Sequence, residues 1–281
     1  MNNSIDRFVP QGYEPFEGSS AFKSKPRKLI AEKATSKGFG KLTSISDLFD
    51  KLNIHDGMTL SFHHHLRNGD YVLNMVAEEI KRRNLKNMTL APSSIFPGNA
   101  ILVELMENGN VTKIYTDYVN GPVAEAISHG KLQGLCVMHT HGGRPQAIES
   151  GDLHIDVAIL GVPTVDKHGN GTGTMGKSAC GSLGYAVSDL MYADKVVFVT
   201  DNVVEEIQNP QLDGKYVDYV LTVDAIGNPE GIVSGTTKIT KDPVGLKIAR
   251  MTAQLLDELG LVKQGLSMQT GAGGTSLAVA H

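Results

Sequence analysis

The alternation of short apolar runs with segments of helical period constrains this chain most. Residues 58–62, 88–91, 111–116, 135–138, 155–160, 195–200 and 217–223 read as strands, rich in Val, Ile and Leu and bounded by polar or Gly-containing turns. Between them, apolar residues recur at helical spacing: Ile45, Leu48, Phe49 and Leu52, with Thr43 or Ser44 as the cap, then Val72, Leu73, Val76, Ala77 and Ile80. Residues 100–107 and a segment opening at Pro122 read as further helices, as do residues 243–259, where Leu246, Ala249, Ala253, Leu256 and Leu259 share a face. Strands that alternate with helices build βαβ units, so the expected fold is α/β: an open, mainly parallel sheet flanked by helices.

Residues 1–40, with Pro10, Pro15 and Pro26 and no sustained period, read as an N-terminal arm, and residues 41–241 as one α/β domain. In residues 242–281 a linker helix precedes a strand (265–269), a glycine turn and a helix just begun. These read as the start of a second, similar domain, so the chain reads as the first part of a longer protein.

Composition narrows the partners. A formal net charge of −4 and no Trp argue against nucleic acid or a stacking platform. No apolar run reaches membrane-spanning length and no signal peptide is visible. Two cysteines make no disulfide framework. A cytoplasmic protein is expected.

Ligands of open parallel sheets sit beyond the carboxyl ends of the strands, which singles out four stretches. After the first strand comes His63-His64-His65-Leu66-Arg67-Asn68-Gly69-Asp70. Arg67 is suited to a carboxylate or phosphate and Gly69 to close backbone approach, while the three histidines suggest metal or acid–base work, with His63 and His64 the catalytic candidates. A polar loop with structural histidines fits the same residues. After residues 135–138 comes His139-Thr140-His141-Gly142-Gly143-Arg144. Gly142, Gly143 and Arg144 suggest an anion-binding turn, with His141 a catalytic candidate. His139 and His141 have a spacing that permits zinc, but nothing completes a ligand set, so no metal is expected.

Residues 161–173, including Asp166, Gly169 and Asn170, read as a structural loop. The Lys177-Ser178 pair behind Gly176 is set aside as a phosphate loop on its glycine spacing, and Cys180 reads as a small buried residue. The fourth stretch, Gly271-Ala272-Gly273-Gly274 before a helix start, offers N–H donors to a phosphate or an oxyanion.

Three blocks together resemble the alpha subunit of citrate lyase: DGMTLSFHHHLRNGD (56–70), HTHGGRPQAIESGDLHIDVAILGVP (139–163) and GLSMQTGAGGTSLAVA (265–280). The wider relatives are the CoA-transferases. The resemblance implies a CoA-transferase-like domain that exchanges acetyl for citryl on the thiol of an acyl carrier. A citrate carboxylate forms a mixed anhydride, the thiolate attacks it, and acetate leaves. Citryl-carrier is then cleaved to oxaloacetate and acetyl-carrier. Implied partners are the beta (lyase) and gamma (acyl-carrier) subunits, citrate and acetate, within an oligomer. The resemblance also implies no cofactor of this subunit's own. The CoA-like phosphopantetheine arm comes with the carrier, and CoA thioesters serve as surrogates. On this reading Arg67, Arg144, Gly142 and Gly143 bind substrate, while Gly69, Gly271, Gly273 and Gly274 hold the thioester arm or the oxyanion. Alternatives are a CoA-transferase acting on another carboxylic acid, an inactive half-enzyme that docks subunits, a sugar-phosphate isomerase-like enzyme and a histidine-based metal enzyme.

Overall fold

A computed structural model describes residues 8–9, 11–12, 29–35, 38–232, 239–271 and 273–281, and of His64 the backbone alone. The strands are β1 (Gly40–Leu42), β2 (Thr59–Phe62), β3 (Met88–Pro92), β4 (Val111–Thr116), β5 (Cys136–Met138), β6 (Val157–Gly161), β7 (Thr164–Asp166), β8 (Gly171–Thr172), β9 (Lys195–Thr200), β10 (Val203–Val204) and β11 (Tyr219–Thr222). The α-helices are α1 (Ile45–Lys51), α2 (Val72–Arg83), α3 (Ile101–Glu107), α4 (Pro122–Ser128), α5 (Gly143–Ser150), α6 (Ala186–Tyr192), α7 (Pro229–Ile232), α8 (Pro243–Glu258) and α9 (Gly274–Ala280).

Eight strands form one parallel sheet in the order β1-β11-β9-β6-β2-β3-β4-β5. A smaller sheet, β10-β7-β8, sits beside it. From β2 the chain winds through β3 and β4 to β5, and from β6 it winds the other way. The strand order therefore reverses between β2 and β6, where open sheets form a crevice at their carboxyl ends.

Strand period assigns the two faces. Leu60 and Phe62 of β2, Val157 and Ile159 of β6, and Val197 and Val199 of β9 join the core packed by α1 to α3. Ala158 and Leu160, Val196 and Phe198 join the opposite core with Ala147, Ile148, Ala186 and Leu190 of α5 and α6. Alternation then turns Ser61 and His63 toward α5 and α6. Each buried Leu, Ile or Phe stabilises by about 1.5–3 kcal/mol, so a one-residue slip in β2 would forfeit Leu60 and Phe62 together.

Local signals act as the sequence predicts at several ends. Ser44 caps α1 by accepting from Asp47 N at 3.0 Å. Pro122 opens α4, and Asp242 caps α8 through Gly245 N at 2.7 Å. Other expectations need correction. Residues 135–138 are not a buried strand: β5 is the sheet edge, and Leu135 and Met138 are 69% and 54% exposed. Residues 265–269 form no strand, because no described strand lies beside them to complete a ladder. The Asp166–Asn170 loop is the turn of the β7–β8 hairpin, with Asp166 Oδ1 accepting from His168 N and Asn170 N at 2.9 Å each.

Most of the expected arm lies outside the described residues. Its described part, residues 29–35, runs along the domain, with Ile30 N donating to Glu149 O at 3.0 Å and Lys33 N to Met191 O at 2.8 Å. Among the described residues no helix is long and apolar enough to cross a membrane.

Candidate active site

The reversal of strand order opens a cleft of about 330 Å³, lined by His65, Arg67, Cys180, Ser182, Gly184 and Tyr185. Its first wall is the 3-10 turn His64–Gly69 that follows β2. Its second is the segment between β8 and α6.

Arg67 sits at φ 50°, ψ −137°, a region that non-glycine residues occupy at a cost of about 1–3 kcal/mol. The surroundings enforce it. Gly69 is buried, and a side chain there would strike Asn228 O and the backbone of Gly231 and Ile232. Gly69 O accepts from Asn228 N at 2.8 Å, and Asn68 Oδ1 accepts from Gly98 N at 3.1 Å. Among the described residues the Arg67 guanidinium makes no hydrogen bond and no ion pair. It is a fixed cation with its donors available to the cleft, the geometry a carboxylate ligand requires.

Arg144 has the opposite fate. It is fully buried. Its Nη1 donates to Asp189 Oδ2 at 2.8 Å and its Nη2 to Asp189 Oδ1 at 3.1 Å, to Ser61 Oγ at 2.7 Å and to Ala91 O at 3.0 Å. Asp189, on α6, is equally buried. Burial acts to raise its carboxyl, but the charge of Arg144 overrides this and holds it far below the usual range. Ser61 Oγ also donates to Asp189 Oδ1.

His63 Nε2 lies 3.0 Å from Asp189 Oδ2 but off the line of a straight hydrogen bond. Burial drives the His63 imidazole below its ordinary pKa, outweighing the upward pull of Asp189, so the ring is neutral. It stacks on His65 at 5.1 Å between centroids and 9° between planes, and meets Tyr185 edge-on at 6.4 Å.

Beyond β4, Tyr185 donates to Asp117 Oδ2 at 2.9 Å. Burial raises the Asp117 carboxyl against the lowering effects of Tyr185 and Arg144. Burial, then Asp117, raises the Tyr185 phenol, which therefore stays protonated. His141 is exposed, edge-on to Tyr185 at 5.3 Å, with Nδ1 3.9 Å from Asp117 Oδ2. Cys180, in the cleft, has its thiol raised to about 11 by burial, so it is no thiolate at neutral pH.

The structure thus gathers His63, Arg67, Arg144 and His141 around one crevice but in different roles. Arg144 is a buried framework group rather than a substrate clamp, because its guanidinium is enclosed and bonded within the fold. Gly142 and Gly143 begin α5, where Gly143 N donates to Thr140 Oγ1 at 3.0 Å, and neither lines the cleft. Gly69 serves close packing on α7. Gly271, Gly273 and Gly274 open α9, which packs on α8, and they do not line this cleft. The His64 side chain lies outside the described residues.

The dismissal of residues 171–178 as a phosphate loop also needs correction. Gly171, Gly176, Lys177 and Ser178 do fall at P-loop intervals. The fold decides against that reading, because a P-loop must open a helix, whereas this segment leaves a hairpin strand and Ser178 is buried, donating to Asp201 at 2.7 Å. Sequence reasoning missed Asp117, Tyr185 and Asp189. Asp117 had a signal, as an acid directly after a strand, and so did Asp189, a carboxylate within the apolar face Ala186–Leu190. Away from the cleft, His154, Asp156 and Asp194 bring ligand atoms within 4.8 Å of one another at the amino-terminal ends of β6 and β9.

The fold is that of a CoA-transferase-type open α/β sheet. An acyl-CoA transferase of E. coli O157:H7 shares it with a TM-score of 0.51 at 12% identity, over 77% of this chain and 54% of that one. Residues 40–281 match the family model described as citrate lyase, alpha subunit (CitF), and the chain belongs to that family. A citrate lyase alpha chain of Haemophilus influenzae is 46% identical over 246 residues, 87% of this chain and 49% of that one. A Streptococcus mutans structure described as the alpha subunit of citrate lyase in complex with citrate superposes with a TM-score of 0.85 at 42% identity, covering 99% of this chain and 56% of that one. The chain spans about half the length of the curated relatives it matches.

Proposed function

We propose that this chain forms the citrate-binding half of a transferase that exchanges acetyl for citryl on a thioester. The observation that carries the reading is Arg67, a cation with no internal partner among the described residues, fixed by a strained backbone in the cleft at the sheet's switch point. The S. mutans relative solved with citrate supports the choice of acid.

Arg67 holds one carboxylate while another attacks the acetyl thioester carbonyl. The C–S bond breaks, the thiolate departs and an acetyl-citryl anhydride remains. The thiolate then attacks the citryl carbonyl, a new C–S bond forms and acetate leaves. Holding the carboxylate against the thioester supplies effective molarity, so no protein nucleophile is required. A neutral His63 and a protonated Cys180 fit that economy. The thioester belongs to a carrier subunit's phosphopantetheine arm, and a beta subunit cleaves the product, within a cytoplasmic complex. The chain itself brings no cofactor.

Incubation with acetyl-CoA and labelled citrate tests this. Citryl-CoA and acetate in equal amounts are expected from the intact protein. Acetyl-CoA consumed with a different carboxylic acid and not with citrate would make it another CoA-transferase. A docking role is favoured by one feature, the exposed residues Val244, Ile248, Met251, Leu255 and Leu259 along α8. A chain that binds partner subunits but neither citrate nor thioester would support that reading.

A further inference from the structure

We propose that Asp189 is a positioning residue for the cleft: anchored by Arg144, it orients His63 and, through the His63–His65 stack, sets the cleft wall beside Arg67. This rests on the cleft being the citrate site.

The buried pair is poorly explained by stability. A buried ion pair is often no more stabilising than apolar side chains of similar volume. Here the arrangement also leaves Arg144 Nε buried with no partner among the described residues, a further cost to stability. What the pair does uniquely is fix geometry. Through Arg144 it ties α5 to β3 at Ala91 O and to β2 at Ser61, and through Asp189 it ties both to α6. His63 is the next inward-facing residue after Ser61. Neither ring nitrogen of His63 makes a straight hydrogen bond, so its orientation depends on the Asp189 carboxylate 3.0 Å away and on the parallel ring of His65. His65 and Tyr185, whose rings adjoin that of His63, both line the cleft. A buried charge is thus transmitted to the cleft surface through one stacked ring.

The test is the double variant Arg144→Met with Asp189→Leu in the intact protein, which removes both charges and leaves neither unpaired. The melting temperature is expected to hold or rise. The KM for citrate is expected to rise at least ~10-fold while that for acetyl-CoA stays put, since misplacement of a binding wall is costly. Without any substrate, histidine ring resonances report the stack, and the upfield-shifted His65 signals of the wild type are expected to move to the position of an unstacked ring. A folded double variant with unchanged citrate KM, or with unmoved His65 signals, overturns the proposal. If the double variant does not fold, Ser61→Ala removes one Asp189 partner without unpairing a charge. It is expected to shift the His65 signals and raise the citrate KM about three-fold, in proportion to a single hydrogen bond, and no change in either overturns the proposal. A wild type that ignores citrate would sink the functional reading instead, while the resonance comparison still decides the positioning role.

Discussion

Arg144 and Asp189 face each other through two hydrogen bonds, Nη1–Oδ2 at 2.8 Å and Nη2–Oδ1 at 3.1 Å, with both side chains wholly enclosed. Removing one member strands the other charge in the interior. Asp189→Ala is therefore expected to destabilise the fold by about 3–5 kcal/mol. Urea unfolding of variant and wild type measures it, and a loss below about 1 kcal/mol would mean that the interior is wetter than the structure indicates.

Arg67 separates binding from stability. Arg67→Ala and Arg67→Gly both remove the guanidinium and are expected to cut citrate exchange at least ~10-fold. Only glycine relieves the backbone at φ 50°, ψ −137°, so Arg67→Gly is expected to be more stable than Arg67→Ala by about 1 kcal/mol. Thermal unfolding of the two variants side by side reads the difference. Equal stabilities would remove the strain from the account.

Asp70 makes stability depend on pH. Burial raises its carboxyl from 3.8 to about 7, against hydrogen bonds from Val72 N and Leu73 N. Between those values the folded chain keeps a proton that the unfolded chain has released. Stability contributed by Asp70 is therefore full below about pH 4 and lost as pH rises through 7. Asp70→Asn keeps an acceptor for the helix start and does not titrate. Its stability relative to wild type is expected to improve by about 4 kcal/mol between pH 4 and 8. Denaturant titrations at both pH values check this, and a pH-independent difference would contradict it.

Cys180 is a cleft thiol that should be slow to react. With its pKa at about 11, its thiolate fraction at neutral pH is roughly a hundredth of that of an ordinary cysteine. In a Cys136→Ser background, iodoacetamide labelling of Cys180 is expected to be slow at pH 7 and to climb about ten-fold per pH unit up to pH 10. Fast labelling at pH 7 would reopen Cys180 as a nucleophile.

Much of the framework was legible because packing period is local. Leu60 and Phe62 alternate with Ser61, and Val72, Val76 and Ile80 recur along one helix face, so β2 and α2 announce themselves. Ser44 and Pro122 mark their helices by hydrogen-bonding chemistry alone. The α5 helix did not announce itself, because Gly143, Pro145 and the absence of an apolar stripe hide it. Residues 135–138 looked interior because an apolar run does not reveal whether a second neighbour strand will flank it, and residues 265–269 looked like a strand because nothing local says that a partner is missing.

In the site, the loop after β2 was legible from its place behind a strand. The two arginines could not be told apart, since each follows a strand end beside glycines. Asp189 lies 45 residues from Arg144 and 128 from Ser61, and no spacing pattern spans such separations. By itself the sequence determined most of the long strands and helices, their parallel sheet and which loops lie at its carboxyl edge, because periodicity and turn chemistry act over a few residues. Only the tertiary structure decided that Arg144 is sealed against Asp189 while Arg67 faces the cleft, because a charge is committed or free according to which distant faces pack around it.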